Sequence, residues 1–367
     1  MRVLLKLMAS LAFAATPAQA LALDTPQTKQ LAEFPSDISP DGLMVLGPDD
    51  AVYGVGYDYP LAGPDQITFT WVYRISPEGK LTRPCPVQQG GNGNGPNVVF
   101  DRHGNGYTIG AAGILKFSQR GDCKLAATFG ADLSQEFVTG TLSIDPSGTI
   151  WGATRAGQLF FADFARGTTR TVHRFAVPTD AFLTGIQADR KRGGTFFGTI
   201  ASTTNAGTAQ TQLFSFRFPD RLKLLNQVDQ SIYAFDIDFA SRDRLVATAG
   251  DFSYLLAGSG EILSDKLPGW NFPLGVEGDQ LYYPYQTTTV IPPVPPARFP
   301  TIIVNWYLGR SALDGSDRQL IADITAFGSP SSAVLPGRHD DFYLVMAGAG
   351  PLALIEVSNS RAHRGGP

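Results

Sequence analysis

Two carboxylates spaced for joint action stand in the segment Phe235-Asp236-Ile237-Asp238-Phe239. On an extended strand alternate side chains share a face, so Asp236 and Asp238 lie together, opposite Phe235, Ile237 and Phe239. Such a pair either supplies oxygen ligands to a hard cation such as Ca2+ or satisfies backbone amides at a turn. The other groups able to do chemistry are scattered. His103 and His339 stand beside Asp and Gly in turn-like stretches, His173 in a strand-like one, and His363 near the C-terminus. No His-x-x-x-His, Cys-x-x-Cys or Glu-x-x-His spacing for a transition metal occurs, and no Gly-x-Ser-x-Gly nucleophile turn. The glycine-rich run from Gly90 to Gly95 lacks the Lys-Ser/Thr that would hold a phosphate. Two cysteines, Cys85 and Cys123, are candidates for a disulfide in an oxidising compartment, and pairing requires Cα atoms within about 7 Å. Sequence position alone leaves paired and free thiols both open.

The elements that must position these groups announce themselves as a repeat. Its clearest copy is Ile144-Asp-Pro-Ser-Gly-Thr-Ile-Trp151-Gly-Ala-Thr: an apolar strand, a tight Asp-Pro-x-Gly turn, and a second strand opening on an aromatic. The same shape recurs at Val45–Val55, Val98–Gly110, Ile186–Thr199, Ile237–Thr248, Leu274–Tyr283 and Val334–Val345, with anchors at 53, 107, 151, 197, 246, 282 and 343. Each anchor is followed by a second hairpin of period-two alternation, as at Trp71–Ile75 turning at Ser-Pro-Glu-Gly and Leu159–Phe164 turning at Ala-Arg-Gly-Thr. Seven four-strand units at this spacing predict an all-β fold, a single seven-bladed β-propeller. The last unit lacks a fourth strand, while Thr28–Phe34 is a spare one ahead of the first. The N-terminal strand is therefore expected to complete the last blade and close the ring. Two insertions interrupt the pattern: the Gly-Asn run Gln88–Pro96, and a link from Tyr285 to Pro300 containing Ile-Pro-Pro-Val-Pro-Pro. The second reads as a stiff extended spacer or as a docking segment.

Residues 1–20 carry Arg2 and Lys6 ahead of a short apolar run and end in Ala18-Gln19-Ala20, the pattern of a secretory signal peptide. Residues 21–367 are then the propeller domain, exported to a periplasmic or extracellular space, with no membrane insertion of the mature chain expected. Loss of Arg2 and Lys6 takes the formal charge from −4 to −6, and the remaining charges are dispersed. A nucleic-acid partner is excluded on that ground.

The segment Asp145-Pro-Ser-Gly-Thr-Ile-Trp-Gly-Ala-Thr resembles the repeat of streptogramin-lyase-type and sensor-type propellers. Pro96-Asn97-Val-Val-Phe-Asp-Arg-His-Gly-Asn-Gly-Tyr is similar to a blade of the gluconolactonase (SMP-30-like) group. That resemblance implies a divalent-metal role for Asn97, whose alternative is to open a strand. The other ligands of the lactonase pattern are not matched, since Leu43–Leu46 holds no Glu and Thr139-Gly-Thr-Leu stands where an Asp is expected. The His and Glu of the lyase pattern are likewise unmatched. The function expected is a non-catalytic propeller, without a cofactor, that binds a protein or small-molecule ligand at one face, where Tyr57, Tyr59, Trp270 and Tyr285 offer aromatic contact area. The alternatives are a metal-dependent hydrolase or lyase acting on a lactone or cyclic ester, with Asn97, Asp236 and Asp238 around Ca2+, and a sensor or adaptor for a membrane partner.

Overall fold

The anchors show why the strands lie where they do. Tyr53, Tyr107, Trp151, Phe197, Val246, Tyr282 and Tyr343 are all buried. They pair across a hairpin with Val45, Val99, Ser143, Gln187, Asp238, Gly275 and Leu335, respectively. These pairings come from a computed structural model that describes residues 26–36, 39–58, 68–90, 97–131, 133, 138–178, 181–189, 191–203, 209–228, 237–239, 244–249, 252–257, 259, 261–264, 274–293, 299–338 and 340–358. The signal-like segment 1–20 lies outside the described residues, as do Tyr59, Trp270, Asp236, His339 and His363.

After β1 (Gln27–Glu33), an antiparallel four-strand meander recurs along the chain. The first is β2 (Ser39–Leu46), β3 (Val52–Asp58), β4 (Thr68–Ile75) and β5 (Leu81–Gly90). Next come β6 (Val99–Phe100), β7 (Gly106–Gly110), β8 (Gly113–Phe117) and β9 (Cys123–Thr128), then β10 (Val138–Ile144), β11 (Ile150–Thr154), β12 (Gln158–Asp163) and β13 (Thr168–Arg174). They are followed by β14 (Ala181–Ala188), β15 (Thr195–Thr203), β16 (Ala209–Arg217) and β17 (Arg221–Val228), and by β18 (Ile237–Phe239), β19 (Arg244–Ala249), β20 (Phe252–Ala257) and β21 (Ile262–Ser264). A longer version is β22 (Gly275–Glu277), β23 (Gln280–Ile291), β24 (Thr301–Ala312) and β25 (Gln319–Asp323). After a 3-10 turn at Thr325–Phe327, the chain ends in β26 (Ser329–Pro330), β27 (Leu335–Pro336), β28 (Phe342–Ala347) and β29 (Ala353–Ser358).

The spare strand goes where its sequence placed it. β1 pairs antiparallel with β29, Thr28 opposite Val357 and Glu33 opposite Ala353. Lys29 meets the buried carboxylate of Glu356 at 3.1 Å across this seam, and Phe34 packs edge-on against Tyr73 of the first meander.

The expectation of seven separate four-stranded sheets is corrected. The described strands form six hydrogen-bonded sheets. Five contain one meander each, the last of them holding β1 as well, and the sixth has eight strands. The cause is one parallel contact between outer strands, Thr168 of β13 against Thr128 of β9. There the Thr128 N–H donates to the Gly167 carbonyl at 2.9 Å. A second correction concerns the presumed link at Tyr285–Pro300. Its first part is strand, because β23 and β24 pair without a register shift from Gln280↔Ala312 to Ile291↔Thr301.

The core sits between sheets. Tyr53 and Val72 of the first meander pack with Val98 and Phe117 of the second, and Trp151 and Leu159 of the third with Phe196 and Phe216 of the fourth. Tyr343 and Leu354 of the final sheet pack with Val52 and Ile75 of the first, so the sequence of interfaces returns to its start.

Candidate binding surface

Of the carboxylate pair read from sequence, Asp236 and the side chain of Asp238 lie outside the described residues, while three acidic side chains that follow first strands, Asp101, Asp145 and Asp189, are spent on turns. Asp101 accepts hydrogen bonds from the His103 and Asn105 amides at 2.9 Å each, from Asn105 Nδ2 at 2.8 Å and from the Tyr107 hydroxyl at 3.0 Å. Asp145 accepts from the amides of Ser147 and Thr149, from Ser147 Oγ at 2.5 Å and from the indole Nε1 of Trp151 at 3.1 Å. Asp189 accepts from the Lys191 and Arg192 amides and pairs with Arg192 Nε at 2.6 Å. Gly104 and Gly148, three residues after their Asp, hold φ of 79° and 86°, a left-handed backbone that glycine adopts without penalty. Burial works to raise the Asp101 pKa, but the bonds from Asn105, Tyr107 and His103 outweigh it and hold the carboxyl below its usual range. Tyr107 moves the other way, pushed up by burial and by its bond to Asp101. The first meander has its own version of this cluster. Arg74 Nη2 meets Asp49 at 2.8 Å, and the Tyr53 hydroxyl donates to the same oxygen at 3.1 Å. Burial, reinforced by Asp49, pushes Tyr53 up to about 12.

Asn97 joins two meanders. Its Nδ2 donates to the Leu142 carbonyl at 2.9 Å, and its Oδ1 accepts the Leu142 amide at 2.7 Å. Its own carbonyl takes the Thr108 hydroxyl. The next junction is tied in the same manner, since Ser143 Oγ accepts the Ala188 amide at 2.7 Å and contacts Gln187. Asp238 occupies, two junctions further on, the register position held by Ser143 and Gln187. Asn97 thus stands at the entry to the second meander and Asp238 on the first strand of the fifth. Among the described residues no three His, Cys, Asp or Glu side chains gather as a metal-holding group. His173 lies between the rings of Phe175 and Phe216, at 4.8 and 4.4 Å, where burial lowers its pKa against the pull of Asp220. Cys85 on β5 and Cys123 on β9 form a disulfide with Cα atoms 5.2 Å apart, joining the outer strands of the first two meanders.

What projects from this framework is the β23–β24 ribbon. β22 pairs only as far as Tyr282, and β25 only with Tyr307–Arg310, so the outer part of the ribbon has no neighbouring strand among the described residues. Cross-strand register puts Val290 with Ile302 and Thr288 with Val304 on one face, and Ile291 with Thr301 and Thr289 with Ile303 on the other. Val290 is 58% exposed, Ile302 60% and Phe299 at the tip 81%, with Ile291, Ile303 and Val304 also exposed. At the base Tyr285 stacks on Tyr307 with centroids 5.4 Å apart. Gly309 permits this, because a Cβ there would come within 2.9 Å of the Tyr285 ring. Of the aromatic contact residues expected from sequence, Tyr285 is the one whose side chain the structure describes. The signal for the ribbon was available in the β-branched runs Thr287–Ile291 and Thr301–Val304, which flank the prolines that obscured it.

No family model matches the sequence, and no curated protein does. Among solved structures, the chain is similar to the WD40 domain of Pan2 from Neurospora crassa at 13% identity, over 91% of this chain and 96% of that one, with a TM-score of 0.51. It is similar to the WD40 β-propeller domain of Doa1 at 10% identity, over 91% and 98%, with a TM-score of 0.50. Against the extracellular domain of the BT4673 one-component system from B. thetaiotaomicron, 89% of this chain aligns at 10% identity with a TM-score of 0.48, and the chain spans 39% of that domain's length. At these identities the likeness concerns the fold, which is an all-β propeller.

Proposed function

We propose that this chain is an exported, non-catalytic β-propeller of seven blades that binds a protein partner through the β23–β24 ribbon. The blade count treats the eight-stranded sheet as two blades touching at their outer strands. It is supported by seven apolar clusters, each lying between consecutive meanders and the last returning to the first. Export is supported by the signal-like residues 1–20 and by the disulfide.

The observation that carries the binding role is the concentration of exposed β-branched and aromatic side chains on a two-stranded ribbon that nothing described covers. An isolated two-stranded ribbon is marginally stable in water, and contiguous exposed apolar area marks an interaction surface. In a ring of antiparallel meanders the ends of second and fourth strands emerge on one rim. The outer end of the ribbon, at Ile291 and Thr301, and the end of β5 at Gly90 therefore share a face. A photo-reactive amino acid at Ile302, compared with one at the exposed Leu222 of β17, tests the reading in the producing cells. A discrete protein adduct at position 302 and none at 222 is the expected result. No adduct anywhere from 287 to 304, or stoichiometric Ca2+ with lactone turnover by the purified protein, would overturn it.

A further inference from the structure

We infer that the partner seated on the ribbon is a second copy of this chain, paired edge to edge about a two-fold axis; this rests on the ribbon being the binding surface. Natural sheets protect exposed edges with charge, proline, bulges or short strands. Here Thr287–Ile291 and Thr301–Val304 carry no charge and no proline, and their pairing runs straight through without a bulge. From Gln280 to Gly309 the sequence contains one charged residue, Arg298.

That neutrality selects the occupant. Antiparallel pairing of two identical strands sets the residue on the axis opposite itself and its neighbours opposite each other, so a charge on the axis would face its like at close range. A ribbon free of charge meets this condition without cost, whereas an edge built for a differently charged partner gains steering from charges of its own. Identical β-branched rows also meet their own shape, with Val290 and Ile302 of one copy continuing into the same face of the other. The nine residues of the two runs fall short of the roughly 20–30 residues per side of a standard stable interface. The dimer is therefore reversible and concentration-dependent, and its neutral contacts make it insensitive to salt.

Sedimentation velocity on the purified mature chain, from about 1 to 200 µM and in 0.1 and 1 M NaCl, reads this directly. The expected result is a monomer–dimer equilibrium that salt leaves in place. The double substitution Val290→Lys with Ile302→Lys should weaken it at least tenfold with an unchanged thermal melt, since both side chains are exposed, while Leu222→Lys leaves it intact. Four results would overturn the inference: a monomer at every concentration, a dimer indifferent to the ribbon substitutions, equal loss with Leu222→Lys, or a monomer that binds neutral phosphatidylcholine vesicles through the ribbon. The crosslink at position 302 separates the two levels. A heterologous adduct with a monomeric chain removes the second copy and keeps the binding surface, and no adduct with a monomeric chain removes both.

Discussion

Asp145 does four jobs with one carboxylate: it receives two turn amides, the Ser147 hydroxyl and the Trp151 indole. Truncating it orphans a buried indole N–H and opens the turn, and an unsatisfied buried donor costs about 1–3 kcal/mol by itself. Asp145→Ala should therefore lower unfolding free energy by about 2–4 kcal/mol, with Asp145→Asn recovering part of the loss. Denaturant unfolding followed by Trp fluorescence measures both, and a near-neutral Asp145→Ala would show that the turn is held by Gly148 alone. The spacing that makes this bond possible, Asp to aromatic at i and i+6, is visible in Asp101–Tyr107 and Asp145–Trp151. The turn and the anchor were legible because their causes are local. Asn97 was not legible in the same way, because its partner Leu142 lies 45 residues away and a lone amide in a sequence carries no trace of that contact. The same distance problem separates the i, i+2 pattern of Asp236 and Asp238 from any knowledge of what faces it.

At the level of strands, alternation and turn chemistry placed most hairpins, and the two departures have separate physical origins. The merging of β6–β9 with β10–β13 depends on one backbone contact between outer strands that no periodicity encodes. The ribbon was hidden by Pro284, Pro292 and Pro293, which signal a break. Pro284 nevertheless sits inside β23, just past the end of β22, where among the described residues no strand pairs on that side and a missing N–H removes no ladder bond there. The disulfide acts at this scale too, because Cys85 and Cys123 clamp the outer strands β5 and β9 over the cluster of Val72, Val87, Val98 and Phe117. Closing a 38-residue separation removes about 4 kcal/mol of chain entropy from the unfolded state. Reduction, or Cys85→Ser with Cys123→Ser, should lower the guanidinium midpoint accordingly. A midpoint that reductant does not move would show that the two thiols contribute nothing as a bridge.

For the whole molecule, stability is distributed over interfaces between successive meanders, and the interface between last and first is fastened with particular care. Besides the β1–β29 ladder and Lys29–Glu356, the turn after β27 reaches the turn before β3, where Arg338 Nε meets Asp50 at 2.8 Å. Both charges of that second pair are substantially exposed, so it orients the junction more than it stabilises it. Deleting residues 21–36 removes the closing strand and leaves β29 as an exposed edge. The expected outcome is loss of soluble monomer, and a truncated chain that folds and stays monomeric would argue against closure by β1.

The antiparallel seam sets Gln27 directly opposite Ser358, so the first and last described strands are hairpin neighbours. Topologically the stretch from Gln27 to Ser358 is then a loop with an arbitrary cut. Joining Ser358 to Gln27 through a two-residue Asn-Gly turn and opening the chain instead at the exposed Arg120-Gly121 tip between β8 and β9 would yield a circular permutant with the same neighbours throughout. Such a permutant still closes by pairing strands from opposite ends of its chain, now β9 with β8 in place of β1 with β29, so stopped-flow refolding and unfolding rates should stay close to those of the natural order.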